Sequence, residues 1–448
     1  MLKNIFTARN HEVKSRNLAI KNIIWLNIGQ IISYINTLIL STWIIRHFGP
    51  LEYGKYGYAL TIVNTIGIFV GLGISKPFIR ELIVEKESRN KLIESCTFIY
   101  LVTGILGYLA TIYLACINTN RDISILLAVA GTSLLLKTTD VYINLFQLDL
   151  MVQKFVRAKS IGLLVGTAIK IGSIYQNMPI ISIAFADIVG LVIAVSVMEY
   201  QHKIIRRLFN TNSDIKNIVR SARMLTRKGL PLLIATTVVP LNMKIDTILI
   251  NQLMGVEKVG IYMAAIKIPL LITPLLATID QAILPISIEK VKNKENIIYV
   301  LNKANSFIIY ATLGISLIFS TGSEIVINKI FGMDYRESTN VLAIIIFIIL
   351  IGSIVKLHTQ YCILSNKSNC IFFRQIFVLA LNYGLNILLI PRLGLLGAAS
   401  GTLIATTLGI LSFISIDRVF RKILFTTICK PDFEYSKLIL RKINQIMN

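Results

Sequence analysis

Residues Phe48–Ala59 read FGPLEYGKYGYA, and Met254–Ala265, 206 positions further on, read MGVEKVGIYMAA. Both stretches follow a long apolar segment, and both keep Gly49 with Gly255, Gly54 with Gly260, Tyr56 with Tyr262 and Ala59 with Ala265 at matching places. In a chain of 448 residues this spacing fits two similar halves in tandem, a form of internal symmetry that recurs in membrane transporters. The halves are expected to be bundles of six helices each, 1–210 and 211–448.

Hydrophobic residues make up 54% of the chain and charged residues 15%, and the apolar residues come in runs of roughly 20, long enough to cross a bilayer as helix. Twelve spans are expected, near 22–45, 56–75, 95–117, 123–146, 156–175, 179–199, 228–252, 261–286, 304–322, 340–363, 370–390 and 394–416. The fold class is therefore all-α and membrane-integral. A net charge of +23 would suit a nucleic-acid partner only if the basic residues shared one face of a soluble domain. Instead, with Arg157, Lys159, Lys228 and Arg374 at the inner span ends counted with the inner loops, 34 of the 46 Lys and Arg fall in the N-terminus, the even-side loops and the C-terminal tail, against 7 on the opposite side and 5 inside spans. By the positive-inside rule both termini are expected in the cytoplasm, with no nucleic-acid partner and some attraction to anionic lipids. Lys3, Arg9, Lys14, Arg16 and Lys21 precede an apolar run too long for a removable signal peptide, so span one is expected to stay as an anchor.

Enzyme chemistry has little to work with. The longest outer loop runs from about Ser323 to Thr339, too short for an extracytoplasmic catalytic domain. The inner side carries no glycine-rich phosphate loop, no Walker lysine and no clustered aspartates for magnesium. Cys96, Cys116, Cys362, Cys370 and Cys429 are scattered, so neither a metal site nor a disulfide framework is expected. Gln201–Leu230, with Ile215, Ile218, Val219, Ala222 and Leu225 at helical spacing among eight basic residues, reads as an amphipathic surface helix, and Ser436–Met447 as a basic tail able to lie on the membrane.

Polar residues inside spans mark the working surface. In span four Ser133, Lys137, Asp140, Asn144 and Gln147 recur at spacings of 4, 3, 4 and 3, along one helix face. A mid-membrane lysine costs about 3 kcal/mol, so that face is expected to meet a cavity, the competing reading being a Lys137–Asp140 ion pair. Span seven places Thr236, Lys244, Thr247 and Asn251 near one face, with Asn242 and Asp246 about 200° away, so one side lines a cavity and the other bonds a neighbour. Pro231 and Pro240, and Pro269, Pro274 and Pro285 in span eight, predict kinks. Span one adds Asn27, Gln30, Tyr34, Thr37 and Ser41, and span eleven Gln375, Asn382 and Asn386, suited to sugar hydroxyls or to bonds between helices. Lys170 and Lys267 lie toward outer span ends, where they can snorkel, although Lys267 is also a candidate cavity residue. Asp187, without a sequence-local partner, and His358 are the candidates for a proton or ion site.

The segments FGPLEYGKYGYALTI (48–62), KIDTILINQLMGVEKVGIYMAAIKI (244–268) and NYGLNILLIPRLGLLGAASGTLIATTLG (382–409) resemble the polysaccharide-export branch of the multidrug/oligosaccharidyl-lipid/polysaccharide (MOP) flippases, and more narrowly the Wzx-type O-antigen flippases. The resemblance spans essentially the whole chain. It implies two six-helix bundles in a V, as in MATE transporters, around a cationic central cavity that opens alternately to either side. The implied cargo is an undecaprenyl-pyrophosphate-linked sugar repeat unit, moved across the bacterial inner membrane. It further implies no cofactor, and a polysaccharide polymerase and chain-length regulator as partners; movement is expected either to couple to a proton or sodium gradient or to be uncoupled and drawn by consumption of the product outside. Lys137 and Lys244, one per bundle near mid-depth, would balance the pyrophosphate. The competing readings are a drug or cation exporter of the same fold, using Asp140, Asp187 and Asp246, and a membrane polymerase or transferase.

Overall fold

A computed structural model describes residues 2–84, 89–149, 151–202 and 215–432; the expected surface tail Ser436–Met447 and the first part of the Gln201–Leu230 segment lie outside these. Among the described residues all regular structure is helical. The chain divides into two compact units, Met1–Phe48 with Lys55–Pro240, and Gly49–Gly54 with Leu241–Asn448.

The first unit contains α1 (Leu2–Gly67, broken at Gly49), α2 (Ser75–Val84), α3 (Arg89–Ile117), α4 (Arg121–Leu135), α5 (Thr139–Leu148), α6 (Val152–Tyr175), α7 (Ile181–His202) and the start of α8 (Ile215–Met254). The rest of α8 opens the second unit, followed by α9 (Val256–Lys292), α10 (Ile297–Thr321), α11 (Ser323–Ile330), α12 (Ser338–Ile345), α13 (Ile348–Leu364), α14 (Ser368–Leu393), α15 (Leu395–Ile416) and α16 (Arg418–Cys429). Seven stretches among the described residues are long and apolar enough to cross a membrane, and eight if the bent α8 counts as one. The other expected spans lie in α1, α6 and α9, where residues such as Lys159, Lys170 and Lys267 interrupt the apolar run. Large apolar side chains such as Leu106, Leu164 and Ile318 point outward, the arrangement lipid rewards and water does not.

The repeated motif has a structural reason in its glycines. Gly49 (φ 72°, ψ 176°) and Gly255 (φ 91°, ψ 169°) take the same left-handed turn, which costs an L side chain but not glycine. Inside the second unit Gly49–Gly54 then crosses Val256–Gly260 reciprocally. A Cβ on Gly54 would lie 2.0 Å from the Val256 carbonyl oxygen, and one on Gly260 would lie 1.9 Å from the Pro50 carbonyl oxygen. Each contact maps onto the other under the 206-residue offset, so a local two-fold relates them.

Three expectations change in detail. Span two ends as helix at Gly67, and residues 68–74 form tight turns, with the Gly71 N–H donating to Thr103 Oγ1 at 3.0 Å. Span four breaks at a 3-10 turn, Leu136–Thr138, between α4 and α5. Irregular backbone at this depth is tolerated where protein covers it, and Gly71 and Thr138 are buried. The described part of the expected surface helix is continuous with span seven, with Leu225 fully buried, Ser95 Oγ donating to the Ile218 carbonyl at 3.0 Å and Lys228 paired to Glu81 at 2.8 Å. The kink expected in span seven is present: α8 bends by 50° between Ile234 and Thr236. Pro240 accounts for it, since its ring removes a bond to the carbonyl four residues earlier.

Beyond the spans, α16 is an amphipathic helix capped by Asp417, whose Oδ1 accepts the Val419 and Phe420 N–H groups at 3.0 and 3.2 Å. Its Phe420, Ile423 and Leu424 join Leu301, Leu357 and Tyr361 in one apolar cluster. Asp417 Oδ2 also accepts from Lys367 and Tyr361, at 2.8 Å each. Partial burial pulls the Asp417 carboxyl upward, but the bonds from Lys367, Tyr361 and the Phe420 N–H outweigh it and hold the group down at about 2. A depressed folded-state value stabilises the attachment fully above the ordinary carboxylate range of about 3.9 and loses that contribution as pH falls through about 2. Proteolytic release of α16 in detergent is thus expected to rise below pH 4, and Asp417→Asn to be released equally at pH 7 and pH 3.

Candidate polar sites in the membrane

In the first unit the two helix breaks meet. Lys137, in the 3-10 turn of span four, donates from Nζ to the Gly67 carbonyl at 2.5 Å, where span two stops. The last carbonyls of a helix lack intrahelical partners and carry the negative end of its dipole, so an ammonium is well placed there. Asp140, half-buried, lies within electrostatic reach of Lys137 and Tyr100 but makes no ion pair with the lysine among the described residues. Asn144 is buried one turn further on, with its Nδ2 unpaired among the described residues. Gln147 is exposed. The stripe read from span four is interrupted by the 3-10 turn, and Lys137 takes a backbone partner there.

Two further expectations acquire partners. Asp187 accepts from Lys170 Nζ at 2.5 Å through Oδ1 and from Tyr56 OH at 2.6 Å through Oδ2. The α6–α7 hairpin brings these groups together across 17 residues, so Lys170 neutralises Asp187 rather than snorkelling. His358 is buried between the rings of Phe413 and Phe420, with centroids 4.9 and 4.7 Å away, and its Nδ1 faces the guanidinium of Arg374. Arg374 is itself fully buried, bonded to Thr359 Oγ1 at 3.1 Å. In sequence it is one more basic residue at a span end. Gln30, with Tyr34, Lys159 and Ser160, borders a cleft of about 280 Å³ between α1 and α6; the Asn27 side chain lies outside the described residues. Lys267 is half-buried.

In the second unit α8 is polar on two sides, and the structure tells them apart. Asp246 is buried, and its Oδ1 accepts from Asn382 at 2.9 Å and Asn386 at 2.7 Å, its Oδ2 from Thr402 at 2.7 Å and Tyr262 at 3.0 Å. Asn382 also donates to Asn242 at 3.1 Å. Four neutral donors fill the four acceptor sites of the carboxylate, tying α8, α9, α14 and α15 together without a counter-charge. Beside them Asn386 Oδ1 is buried and accepts nothing among the described residues. Tyr262 is the partner of Tyr56 in the duplicated motif, and each donates to a membrane aspartate. Thr402 and the role of Tyr262 escape a reading by spacing, because their link to Asp246 is purely tertiary. On the other side Lys244 opens into a groove of about 420 Å³ between α8 and α14, lined by Leu241, Ile245, Ile376, Leu379 and Tyr383.

This fold is that of the MOP flippases. The lipid II flippase MurJ in an inward closed conformation superposes with a TM-score of 0.68 at 16% identity, over 91% of each chain, and multidrug MATE transporters share the same fold. The family model described as polysaccharide biosynthesis protein matches residues 19–291. The chain therefore belongs to the polysaccharide biosynthesis protein family. Its relatives include the capsular polysaccharide biosynthesis protein CapF of Staphylococcus aureus, 24% identical over 88% of this chain and 98% of the relative. A Shigella flexneri protein described as an O-antigen transporter is 22% identical, over 85% and 93%. The chain is a multi-pass membrane protein, and the relatives and solved structures it resembles include an O-antigen transporter and a lipid flippase.

Proposed function

We propose that this protein carries undecaprenyl-pyrophosphate-linked oligosaccharide repeat units from the cytoplasmic to the outer leaflet of the bacterial inner membrane by alternating access. The observation that carries this reading is Lys244, a half-buried ammonium at mid-span with no acidic partner among the described residues. Such a charge is costly in lipid unless an anion meets it there. In the first unit Lys137, held by the Gly67 carbonyl, is a further cation of the same kind. A cationic cargo would need free acids, whereas Asp187 is neutralised by Lys170 and Asp246 is saturated by its four donors.

Asp246 supports a further part of the reading, because its carboxylate is held by neutral donors alone, so a proton or monovalent cation that displaces one of them meets an uncompensated charge, whereas Asp187 already has Lys170. We infer that the driving gradient acts at Asp246 rather than at Asp187 or His358.

In proteoliposomes containing a polyprenyl-pyrophosphate-linked saccharide, the purified protein is expected to make the sugar accessible to an impermeant lectin on the far leaflet. Lys137→Arg is expected to retain this activity and Lys137→Ala to lose most of it. Cation transport without sugar movement would overturn the proposal.

A further inference from the structure

Lys244 sits nearly midway along Thr236–Met254, the second part of the bent span, about 12 and 15 Å from its two ends at 1.5 Å per residue. Headgroups of resting lipids lie at the two surfaces of a hydrocarbon layer about 30 Å thick, and so do not reach it. An anion that meets Lys244 is therefore one in transit. The walls of the groove beside the ammonium are almost wholly apolar, contributed by Leu241 and Ile245 of α8 and Ile376, Leu379 and Ala380 of α14. Tyr383, half-exposed at its edge, is the other polar lining group. A volume of about 420 Å³ falls within the range of roughly 300–1,000 Å³ typical of small-ligand clefts.

A cation beside an apolar trough has the chemistry of an anionic lipid: one phosphate at the head and hydrocarbon behind it. Free sugar phosphates would leave the trough unfilled, and an uncharged lipid would leave the ammonium unpaired. The polar network around Asp246, on the opposite side of α8, fixes the helix so that Lys244 cannot turn away from the groove. We propose that the groove between α8 and α14 is the subsite for the polyprenyl phosphate end of the carrier, with Lys244 on the phosphate proximal to the chain, Tyr383 donating to the same group, and the first isoprene units lying against Ile376, Leu379 and Ala380. This deepens the flippase reading and rests on it: the sugar is held elsewhere, and the groove recognises the carrier whatever the sugar.

The test is photo-crosslinking of the full chain in lipid nanodiscs with a polyprenyl monophosphate bearing a diazirine on its first isoprene unit. Matched arms use the corresponding polyprenol, and phosphatidylglycerol with the diazirine in an acyl chain. The phosphate probe is expected to label peptides of α8 around Lys244 and α14 around Ala380, and the other two probes are not. Lys244→Gln should cut labelling by roughly tenfold, as for loss of one charge-assisted contact, and Lys244→Arg should restore it. Ala380→Phe keeps the lysine but fills the trough, and should also abolish labelling, which guards against a Gln variant that is merely unfolded. Equal labelling by polyprenol or phosphatidylglycerol, or insensitivity to both substitutions, overturns the proposal. Labelling by the phosphate probe confined to other helices overturns the groove and leaves the flippase reading standing, whereas no labelling anywhere overturns both.

Discussion

Gly260→Ala, and equally Gly54→Ala, is expected to leave little or no folded protein in the membrane. In an ordinary helix interior this change stabilises by about 0.5–1 kcal/mol, because alanine loses less backbone entropy than glycine. Here the added methyl would stand 1.9 Å from the Pro50 carbonyl oxygen, or 2.0 Å from that of Val256, and both obstacles are backbone. Relief requires the two crossing segments to separate by more than an ångström, which also opens the packing around the buried Tyr53, Val259 and Tyr262. Gly314→Ala and Gly384→Ala, whose methyls meet nothing within 4 Å, should be accepted at normal levels. The readout is the amount of protein extracted in a monodisperse detergent peak. Normal recovery of Gly260→Ala would show that the reciprocal crossing is not what holds the repeat motif in place.

Asp246→Asn is expected to abolish transport while the protein still inserts and extracts normally. The substituted amide keeps the volume but turns donors toward the donors of Asn382, Asn386, Thr402 and Tyr262, so at least one contact becomes repulsive. Interhelical hydrogen bonds in membranes average about 0.6 kcal/mol, so loss of some of the four lowers stability by about 1–2 kcal/mol, short of unfolding. The larger effect is functional, since an amide cannot change charge and so cannot couple to a gradient. Lectin accessibility in proteoliposomes, with and without an imposed proton or sodium gradient, checks it. Asp187→Asn should instead act mainly on stability, by stranding Lys170. A gradient response that survives in Asp246→Asn and disappears in Asp187→Asn would reverse the assignment.

The duplication was legible because it is written in glycines, whose positions report backbone turns and close approach directly. The class of protein followed from the apolar runs, and the polar stripes of spans four, seven and eleven pointed to Lys137, Lys244, Asp246, Asn382 and Asn386. The breaks in spans two and four were not legible. Hydropathy does not register a turn whose backbone is satisfied by Thr103 or by a lysine 70 residues away. Asp187 looked solitary because its partners Lys170 and Tyr56 depend on how α6, α7 and α1 pack, and the burial of Arg374 has no sequence signal because only tertiary structure encloses it. The tail Ser436–Met447 lies outside the described residues, and the amphipathic helix Arg418–Cys429 after the last span was not read from the sequence. Its capping Asp417 was the available signal.

The flippase reading is tested most directly by deleting the gene in its host, running surface polysaccharide on a gel and assaying undecaprenyl-linked intermediates by leaflet. Loss of long-chain polysaccharide, with single lipid-linked repeat units trapped on the cytoplasmic face and released by the wild-type gene but not by the Lys244→Gln variant, is the predicted result. Unchanged polysaccharide together with new sensitivity to cationic drugs would contradict it.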